Sequence, residues 1–171
     1  MISKKMATAL NKQLNNELYS AYLYLSMSSY CNAIGLKGGA NWFMVQYQEE
    51  LSHFMKFYDY INSQGIPVGL AAMEAPPGGY GSLLSMFEQA LTHEQFITRS
   101  INDWMELAVK EKDHATQIFL QWFVTEQVEE EANAGEVIAR LKMAGEAGPG
   151  LLMVDTELAA RVFTPPTATA A

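Results

Sequence analysis

The chain has 171 residues, 49% hydrophobic and 18% charged, with 11 basic and 19 acidic side chains and a formal net charge of −8. This length suits one compact domain, and the single cysteine, Cys31, excludes a disulfide scaffold and any cysteine-rich metal site. The acidic balance argues against a nucleic-acid partner, because such binding requires a clustered basic face.

The N-terminal residues do not have the pattern of an export signal, because Asn11, Lys12 and Gln13 interrupt the apolar residues that follow Lys4 and Lys5. No stretch approaches the roughly 18 apolar residues that would span a bilayer, so we expect no membrane partner and a cytoplasmic protein. The charged fraction of 18% lies below the roughly 25% of typical soluble domains. We therefore expect much of the outer surface to contact other subunits.

Hydrophobic periodicity predicts four long helices. The first covers residues 5–31, and the second covers residues 39–64. Ser82 is the expected N-cap of the third, and the fourth starts near Asp113. Helices of roughly 26 to 30 residues are each about 40 Å long, which predicts an all-α four-helix bundle over residues 1–145.

The connections predict the topology of this bundle. Residues 32–38 and 111–113 are short, so each joins two helices into an antiparallel hairpin. Residues 65–81 are rich in glycine and proline, and at about 3.3 Å per extended residue they are long enough to cross the whole bundle. This crossover lets the second and third helices run parallel.

A short apolar segment follows the fourth helix. Residues 151–163 predict a fifth helix, which together with the preceding turn forms a unit over residues 146–163. The segment is too apolar to project into water, so we expect it to pack against copies of itself in an assembly. Residues 164–171 are expected to be disordered.

Each predicted inner stripe carries an ionisable residue near its middle. These residues are Glu17 in the first helix, Glu50 and His53 in the second, Glu94 in the third, and Glu130, beside Gln127, in the fourth. Buried carboxylates must be protonated, paired or bound to a cation. The three lysines between residues 10 and 64 fall outside the stripes, so a metal ion is the expected counter-charge.

The spacing of Glu50 and His53 is Glu-x-x-His, which places both side chains on one helical face within reach of one ion. Di-iron carboxylate bundles use such a pair together with single glutamates from other helices. We expect Glu17, Glu50 and His53 to hold one iron. A second iron would be bound by Glu94 and nearby Glu130, with Glu50 as the bridge between the two ions. This second position has no histidine, so we expect it to bind iron more weakly.

At these residues the chain resembles the ferritins, and most closely the non-haem bacterial ferritins. The resemblance covers residues 1–163 and rests on Glu17, Tyr24, Glu49, Glu50, His53, Glu94, Trp122, Glu126, Gln127, Glu129 and Glu130, with the crossover and the fifth helix. It implies a cage of twenty-four subunits that takes up Fe(II). It further implies that Fe(II) is oxidised by O2 or H2O2 at a dinuclear ferroxidase centre and stored as a ferric mineral.

The same resemblance assigns further roles. Glu49, Glu126 and Glu129, which flank the predicted pair, match a third iron site, and Tyr24 matches a tyrosine that lends an electron during oxygen reduction. Bacterioferritins have a histidine where Glu130 stands and a haem-ligating methionine where this chain has Leu51. Haem is therefore not expected.

Two other readings of the same residues remain open. A di-iron enzyme acting on an organic substrate would need a substrate cavity, and a metal-free structural bundle would leave the inward acids unexplained. His93 and His114 are expected to be solvated and outside the site, and Tyr24 and Trp122 are also compatible with core packing alone. O2 and H2O2 are both compatible with the sequence as oxidants, as are storage and detoxification as roles.

Overall fold

The computed structural model describes residues 2–165, which form five helices and contain no strand. The helices are α1 (Lys4–Ala33), α2 (Lys37–Ser63), α3 (Leu83–Glu111), α4 (His114–Ala144) and α5 (Pro149–Leu158). The predicted all-α architecture of four long helices and a short fifth is confirmed. The predicted disordered tail, 164–171, lies outside the described residues from position 166 onward. None of the described helices is sufficiently long and apolar to cross a bilayer.

Side-chain caps mark where α3 and α4 begin. The predicted cap Ser82 accepts a hydrogen bond from the backbone N–H of Ser85 at 3.2 Å. Asp113 caps α4 in the same way by accepting from the N–H of Thr116 at 3.1 Å. Each cap satisfies a backbone donor that the first helical turn leaves unpaired.

The fifth helix is shorter than predicted, because it ends at Leu158 rather than near residue 163. Beyond that point residues 159–160 form a turn, and the chain continues along α2. The side-chain amide of Asn41 donates to the backbone carbonyls of Leu158 and Arg161 at 3.3 and 2.9 Å. These bonds satisfy carbonyl groups that a longer helix would have paired internally.

The order of contacts between helices confirms the predicted topology. Gln13 and Ser20 of α1 contact Ser100 and His93 of α3, respectively, so α1 and α3 run antiparallel. The short turn between α1 and α2 makes that pair antiparallel too. It follows that α2 and α3 are parallel, as the long crossover requires.

Two asparagines of α1 hold the crossover against the bundle. Asn11 accepts from the N–H of Gly69 at 2.7 Å, while Asn15 donates to the carbonyl of Gly69 at 2.8 Å. Asn15 also accepts from the N–H of Ala71 at 2.8 Å. The crossover therefore has backbone partners on α1 although it forms no helix or strand.

The core consists of two apolar clusters separated by a polar band. One cluster contains Tyr24, Phe43 and Phe87, and the other contains Leu14, Phe57 and Phe123. The band lies between them, at the middle of the four long helices, and consists of buried Gln13, Glu17, Ser20, Gln46, Glu50, His53, Glu94, Ser100, Gln127 and Glu130.

Candidate metal centre

The predicted inner acids are all buried in the polar band. The exposed fractions are 1% for Glu17 and Glu50, 2% for His53 and Glu94, and 4% for Glu130. Helical steps of three and four residues place each on the same face as the apolar residues of its stripe. The prediction that four helices direct ionisable groups inward is therefore confirmed.

Glu17, Glu50 and His53 come together as predicted. One ligand atom from each lies within 4.8 Å of the others. His53 Nδ1 lies 3.5 Å from Glu50 Oε2, and that carboxylate oxygen has no hydrogen-bond partner among the described residues. A buried carboxylate oxygen without a donor is costly unless a cation approaches it.

A second group shares His53 with the first. It consists of His53, Glu126 and Glu130, whose ligand atoms also lie within 4.8 Å of one another. His53 Nε2 is 3.8 Å from Glu126 Oε1, and Gln46 donates to Glu130 Oε2 at 2.8 Å. This grouping differs from the predicted one, which placed Glu130 with Glu94 and assigned Glu126 to a third site.

Glu94 belongs to neither group in this arrangement. The hydroxyl of Tyr24 donates to Glu94 Oε1, and the amide of Gln127 donates to Glu94 Oε2 at 3.1 Å. Burial and the charge of Glu94 raise the pKa of Tyr24 well above its usual value. Glu94 is therefore held by two neutral donors, one on each carboxylate oxygen, and each oxygen keeps a second lone pair for a metal ion.

Burial raises the pKa of every carboxyl group in the band. The pKa rises to about 8 for Glu17, about 8 for Glu94, about 7 for Glu50 and about 6 for Glu130, and neighbouring glutamates add to the rise at each. Burial acts to lower the pKa of His53, but the surrounding glutamates outweigh it and raise that pKa well above its usual value. The band therefore holds protons near neutral pH, and a metal ion would release them.

Gln13 is an orienting residue that the sequence analysis missed. Its side-chain amide donates to Glu17 Oε1 at 2.7 Å, and its own oxygen accepts from Ser100 Oγ at 2.7 Å and from Trp104 Nε1 at 3.2 Å. Asn16 Nδ2 also donates to this oxygen, at 3.3 Å, and the three donors determine which end of the amide faces Glu17. The signal in the sequence that could have identified Gln13 as a partner of Glu17 was its position one helical turn before Glu17 on the same stripe.

The acids predicted to form a third site line one cavity. Its volume is about 300 Å³, and we call it the acidic cavity; it is lined by Glu49, Glu126, Glu129, Glu130, Asn133, Arg161, Val162 and Thr164. The described ligand atoms of Glu49, Glu126 and Glu129 do not form a compact three-residue group. Glu49 Oε2 instead contacts Arg161 Nη2 at 2.6 Å.

Arg161 is a basic partner of Glu49 that the sequence did not predict. The lysines of the first two helices lie outside the inner stripes, whereas Arg161 follows α5 in a segment without periodicity. No pattern in the sequence signalled that this segment returns to the middle of α2. The position of Arg161 depends on the Asn41 contacts, which only the folded chain contains.

The expectation for His93 was also wrong, because this residue is half-buried. It hydrogen-bonds Ser20 Oγ at 2.7 Å and packs edge-on against Tyr24 with ring centroids 6.2 Å apart. Burial lowers its pKa to about 4, so the ring is neutral.

His114 is exposed, as expected. Trp122 packs edge-on against His53 at 5.4 Å between ring centroids.

Comparisons with known proteins agree with this architecture. A family model described as a ferritin-like domain matches residues 7–144. A bacterial non-heme ferritin of Campylobacter jejuni is 42% identical over 155 residues, which are 91% of this chain and 93% of that protein. A bacterial non-heme ferritin of Staphylococcus saprophyticus is 40% identical over 163 residues, covering 95% and 98% of the two chains.

Solved structures give the same result. An open-pore ferritin from the archaeon Archaeoglobus fulgidus is similar with a TM-score of 0.93 and 51% identity, over 95% of this chain and 100% of that one. A closed form of that ferritin, engineered by mutagenesis, also has a TM-score of 0.93 and 51% identity, over 96% of this chain and 100% of that one. The fold and the buried carboxylate–histidine band define a ferritin-like helical bundle. The chain belongs to the ferritin family.

Proposed function

We propose that this protein stores iron and acts as a ferroxidase, oxidising Fe(II) before it is deposited as a ferric mineral. The observation that carries the proposal is the buried group Glu17, Glu50 and His53, in which Glu50 Oε2 has no hydrogen-bond donor within residues 2–165. Carboxylate and imidazole ligands in a thiolate-free site suit ferrous iron. Iron is here the substrate, and O2 or H2O2 is the oxidant.

The residues have distinct roles in this proposal. Glu17, Glu50 and His53 bind the first Fe(II). Glu130 and Glu94 bind the second, with Glu50 as the bridge. Gln127 lies at the second position and donates to Glu94, which orients its carboxylate.

Two adjacent ferrous ions provide the electrons for one oxidant molecule. Each Fe(II) loses one electron, and O2 with two electrons and two protons gives H2O2. If H2O2 is the oxidant, two electrons and two protons convert it to two molecules of water. In this proposal Tyr24, whose hydroxyl donates to Glu94, loses one electron and one proton when a third Fe(II) also loses one electron, so that four electrons and four protons reduce O2 to two molecules of water.

The protonation of the band matches this chemistry. Burial keeps the pKa values of Glu17 and Glu94 at about 8, so the metal-free centre avoids concentrating negative charge between the apolar clusters. Binding of Fe(II) replaces protons, and the resulting carboxylates stabilise Fe(III) once it forms. The acids therefore contribute both to uptake and to the oxidation step.

Storage requires an assembly, which we propose to be a homo-oligomeric cage of twenty-four subunits, as in the ferritins that the chain resembles. Large apolar side chains near α5 support subunit contacts, because Met143, Leu152 and Met153 are 82%, 61% and 65% exposed in the single chain.

The acidic cavity, with Glu49, Glu126 and Glu129, would form a third iron site. Glu130 also lines this cavity, which in the proposal would offer iron a route out of the dinuclear pair.

The alternative function, a di-iron enzyme that acts on an organic substrate, has less support from the structure. The cavity that borders the band is lined by four glutamates, an asparagine and an arginine, which suits cations rather than an apolar molecule. A metal-free structural bundle would leave Glu50 Oε2 buried without a partner.

The test is aerobic addition of Fe(II) to the metal-free assembly, followed by measurement of oxidation per chain and of soluble iron retained. We expect a fast phase at about two or three irons per chain and continued soluble mineral growth beyond it. Oxidation that stops at about two irons per chain, with no further iron retained, would favour the di-iron enzyme with an organic substrate. An absence of oxidation above buffer would contradict both functions.

Two variants make this test specific. Glu50→Gln removes the proposed bridging carboxylate and should abolish the fast phase. Glu136→Gln is the matched control, because Glu136 is an exposed glutamate whose side chain pairs with Arg140 outside the band. The control should leave the fast phase unchanged, and equal loss in both variants would contradict the assignment of Glu50.

A further inference from the structure

Arg161 introduces a positive charge at the acidic cavity. Its Nη2 lies 2.6 Å from Glu49 Oε2, and the two side chains are only 20% and 21% exposed. Its guanidinium lies over the ring of Trp42, with Cζ 4.4 Å from the ring centroid. The backbone carbonyl of Arg161 accepts from Asn41 at 2.9 Å. Three contacts to α2 therefore fix this residue.

Arg161 is the only basic residue among the described residues that line the acidic cavity. Burial raises the pKa of Glu49, and the charge of Arg161 opposes that rise. Arg161 also opposes the larger rise that burial causes at Glu130. Its field thus extends from the acidic cavity to a proposed ligand of the dinuclear pair.

The pairing between Arg161 and Glu49 is incomplete. One guanidinium nitrogen, Nη2, bonds one carboxylate oxygen, whereas Nη1 is buried and has no hydrogen-bond partner among the described residues. Arginine–carboxylate pairs are strongest when two parallel bonds form. A single bond, with one donor left unsatisfied, makes this ion pair replaceable by a better cation.

We propose that Arg161 is the built-in counter-cation of the acidic cavity and competes with an incoming metal ion for Glu49. The inference rests on the proposed function, since it takes the acidic cavity to bind metal. In the metal-free protein Arg161 neutralises part of the cluster of glutamates. A divalent ion that binds Glu49 displaces the guanidinium, so the cavity binds metal more weakly and releases it more readily than four glutamates alone would.

Zn²⁺ titration of the metal-free full-length assembly by calorimetry tests the competition. Arg161→Gln should tighten the weakest class of sites about tenfold, the scale on which removal of a partly buried ion pair acts. The tighter sites, which we assign to Glu17, Glu50 and His53, should not change. Arg161→Lys, which keeps the charge, should remain close to the unmodified protein.

The matched control is Arg140→Gln. Arg140 also pairs with glutamates, with Glu136 at 2.5 Å and Glu157 at 2.8 Å, but it lies outside the acidic cavity. It should leave all Zn²⁺ affinities unchanged. Weakened or unchanged binding at the weakest sites in Arg161→Gln would overturn the proposal, as would equal tightening in Arg140→Gln.

Displacement of Arg161 also has a spectroscopic readout in the unmodified protein, which does not depend on whether a variant folds. Loss of the guanidinium from Trp42 should change tryptophan emission as Zn²⁺ fills the weakest sites. The change should disappear in Trp42→Phe, which leaves Trp104 and Trp122 in place. No change in emission at that stage, or one that persists in Trp42→Phe, would overturn displacement.

The same titrations separate this inference from the proposed function. If the tight sites bind Zn²⁺ and only the predicted effect of Arg161→Gln is missing, the counter-cation role is wrong and the dinuclear centre stands. If no class of sites binds Zn²⁺ in any variant, the proposed metal centre itself is wrong.

Discussion

Gln13 donates its side-chain amide to Glu17 at 2.7 Å across one turn of α1, and the two side chains are 0% and 1% exposed. The opposite end of the Gln13 amide is saturated by donors from Ser100 and Trp104 on α3. Rotation of the amide would place donor against donor, so the arrangement has one stable orientation. Glu17 is thereby aimed at Glu50 and His53 before any ion arrives.

Replacing Gln13 with leucine should slow the fast phase of Fe(II) oxidation about tenfold or more, the usual cost of removing a residue that orients a metal ligand. The variant leaves Glu17 without its donor, and stopped-flow absorbance with stoichiometric Fe(II) measures the rate. Gln117→Leu is the control, because Gln117 donates only to the backbone carbonyl of Ala108, at 3.1 Å. Equal rates in Gln13→Leu and the unmodified protein would contradict the orienting role.

Glu17 should make the metal-free protein less stable as pH rises. Its pKa is raised from 4.5 to about 8 in the folded chain, so between those pH values the folded state keeps a proton that the unfolded state has lost. Stability from this group is therefore complete at low pH and falls as pH increases towards 8. Glu17→Gln keeps an acceptor for Gln13 and cannot ionise.

The advantage of Glu17→Gln over the unmodified protein should grow by about 3.5 kcal/mol between pH 5 and 8, or about 7 to 14 °C in melting temperature for a chain of this length. Calorimetry in the presence of a chelator measures it. Glu136→Gln, which changes an exposed glutamate that pairs with Arg140, is the control for a general effect of surface charge. A difference that stays constant with pH would show that Glu17 is not a buried, protonated acid.

Tyr24→Phe should destabilise the metal-free protein by about 1–3 kcal/mol, because Glu94 loses the hydroxyl donor and remains buried. Bound metal should reduce this deficit, since an ion can replace the hydroxyl as the partner of Glu94. Thermal melts with and without Zn²⁺ measure the effect. Tyr80→Phe is the control: Tyr80 is 3% exposed and donates to Ser26 at 2.9 Å, away from the acids. A deficit that Zn²⁺ reduces equally in both variants would contradict a role for Glu94 in binding.

The inward acids could be predicted because helical periodicity is a local property. Glu17 and Glu94 fall on stripes with apolar residues three and four positions away, and the stripes of Glu50 and Glu130 carry apolar residues within two turns on either side. Their burial follows once four such stripes face one another. The parallel arrangement of α2 and α3 was predictable for a similar reason, since the length of the crossover is visible in the sequence.

Other features depend on which side chains meet after folding, and the sequence does not encode them locally. Glu94 is held by Tyr24 and Gln127, so its side-chain direction depends on two other helices. Arg161 reaches Glu49 only because Asn41 holds the segment after α5 on the surface of α2. Periodicity predicts which face a residue occupies, but it does not predict a partner 112 positions away.

The close approach of α5 to α2 depends on Gly38. A Cβ atom at this position would lie 1.5 Å from the backbone oxygen of Asp155, which no side-chain adjustment relieves. Gly38→Ala should therefore push α5 away and break the bond from the N–H of Gly39 to Asp155 Oδ1, now 2.8 Å. We expect a loss of about 1–3 kcal/mol in thermal melts and, because Arg161 follows α5 directly, altered Trp42 emission.

Gly135→Ala on α4 is the matched control, because a Cβ atom there meets nothing within 4 Å. This helical glycine should instead gain about 0.5–1 kcal/mol on replacement by alanine. Size-exclusion chromatography of both variants shows whether α5 must be seated on α2 for assembly, since an apolar helix displaced from its groove cannot present Leu152 and Met153 to a neighbour in the same orientation. If Gly38→Ala melts and elutes like Gly135→Ala, the contact between Gly38 and Asp155 does not position α5.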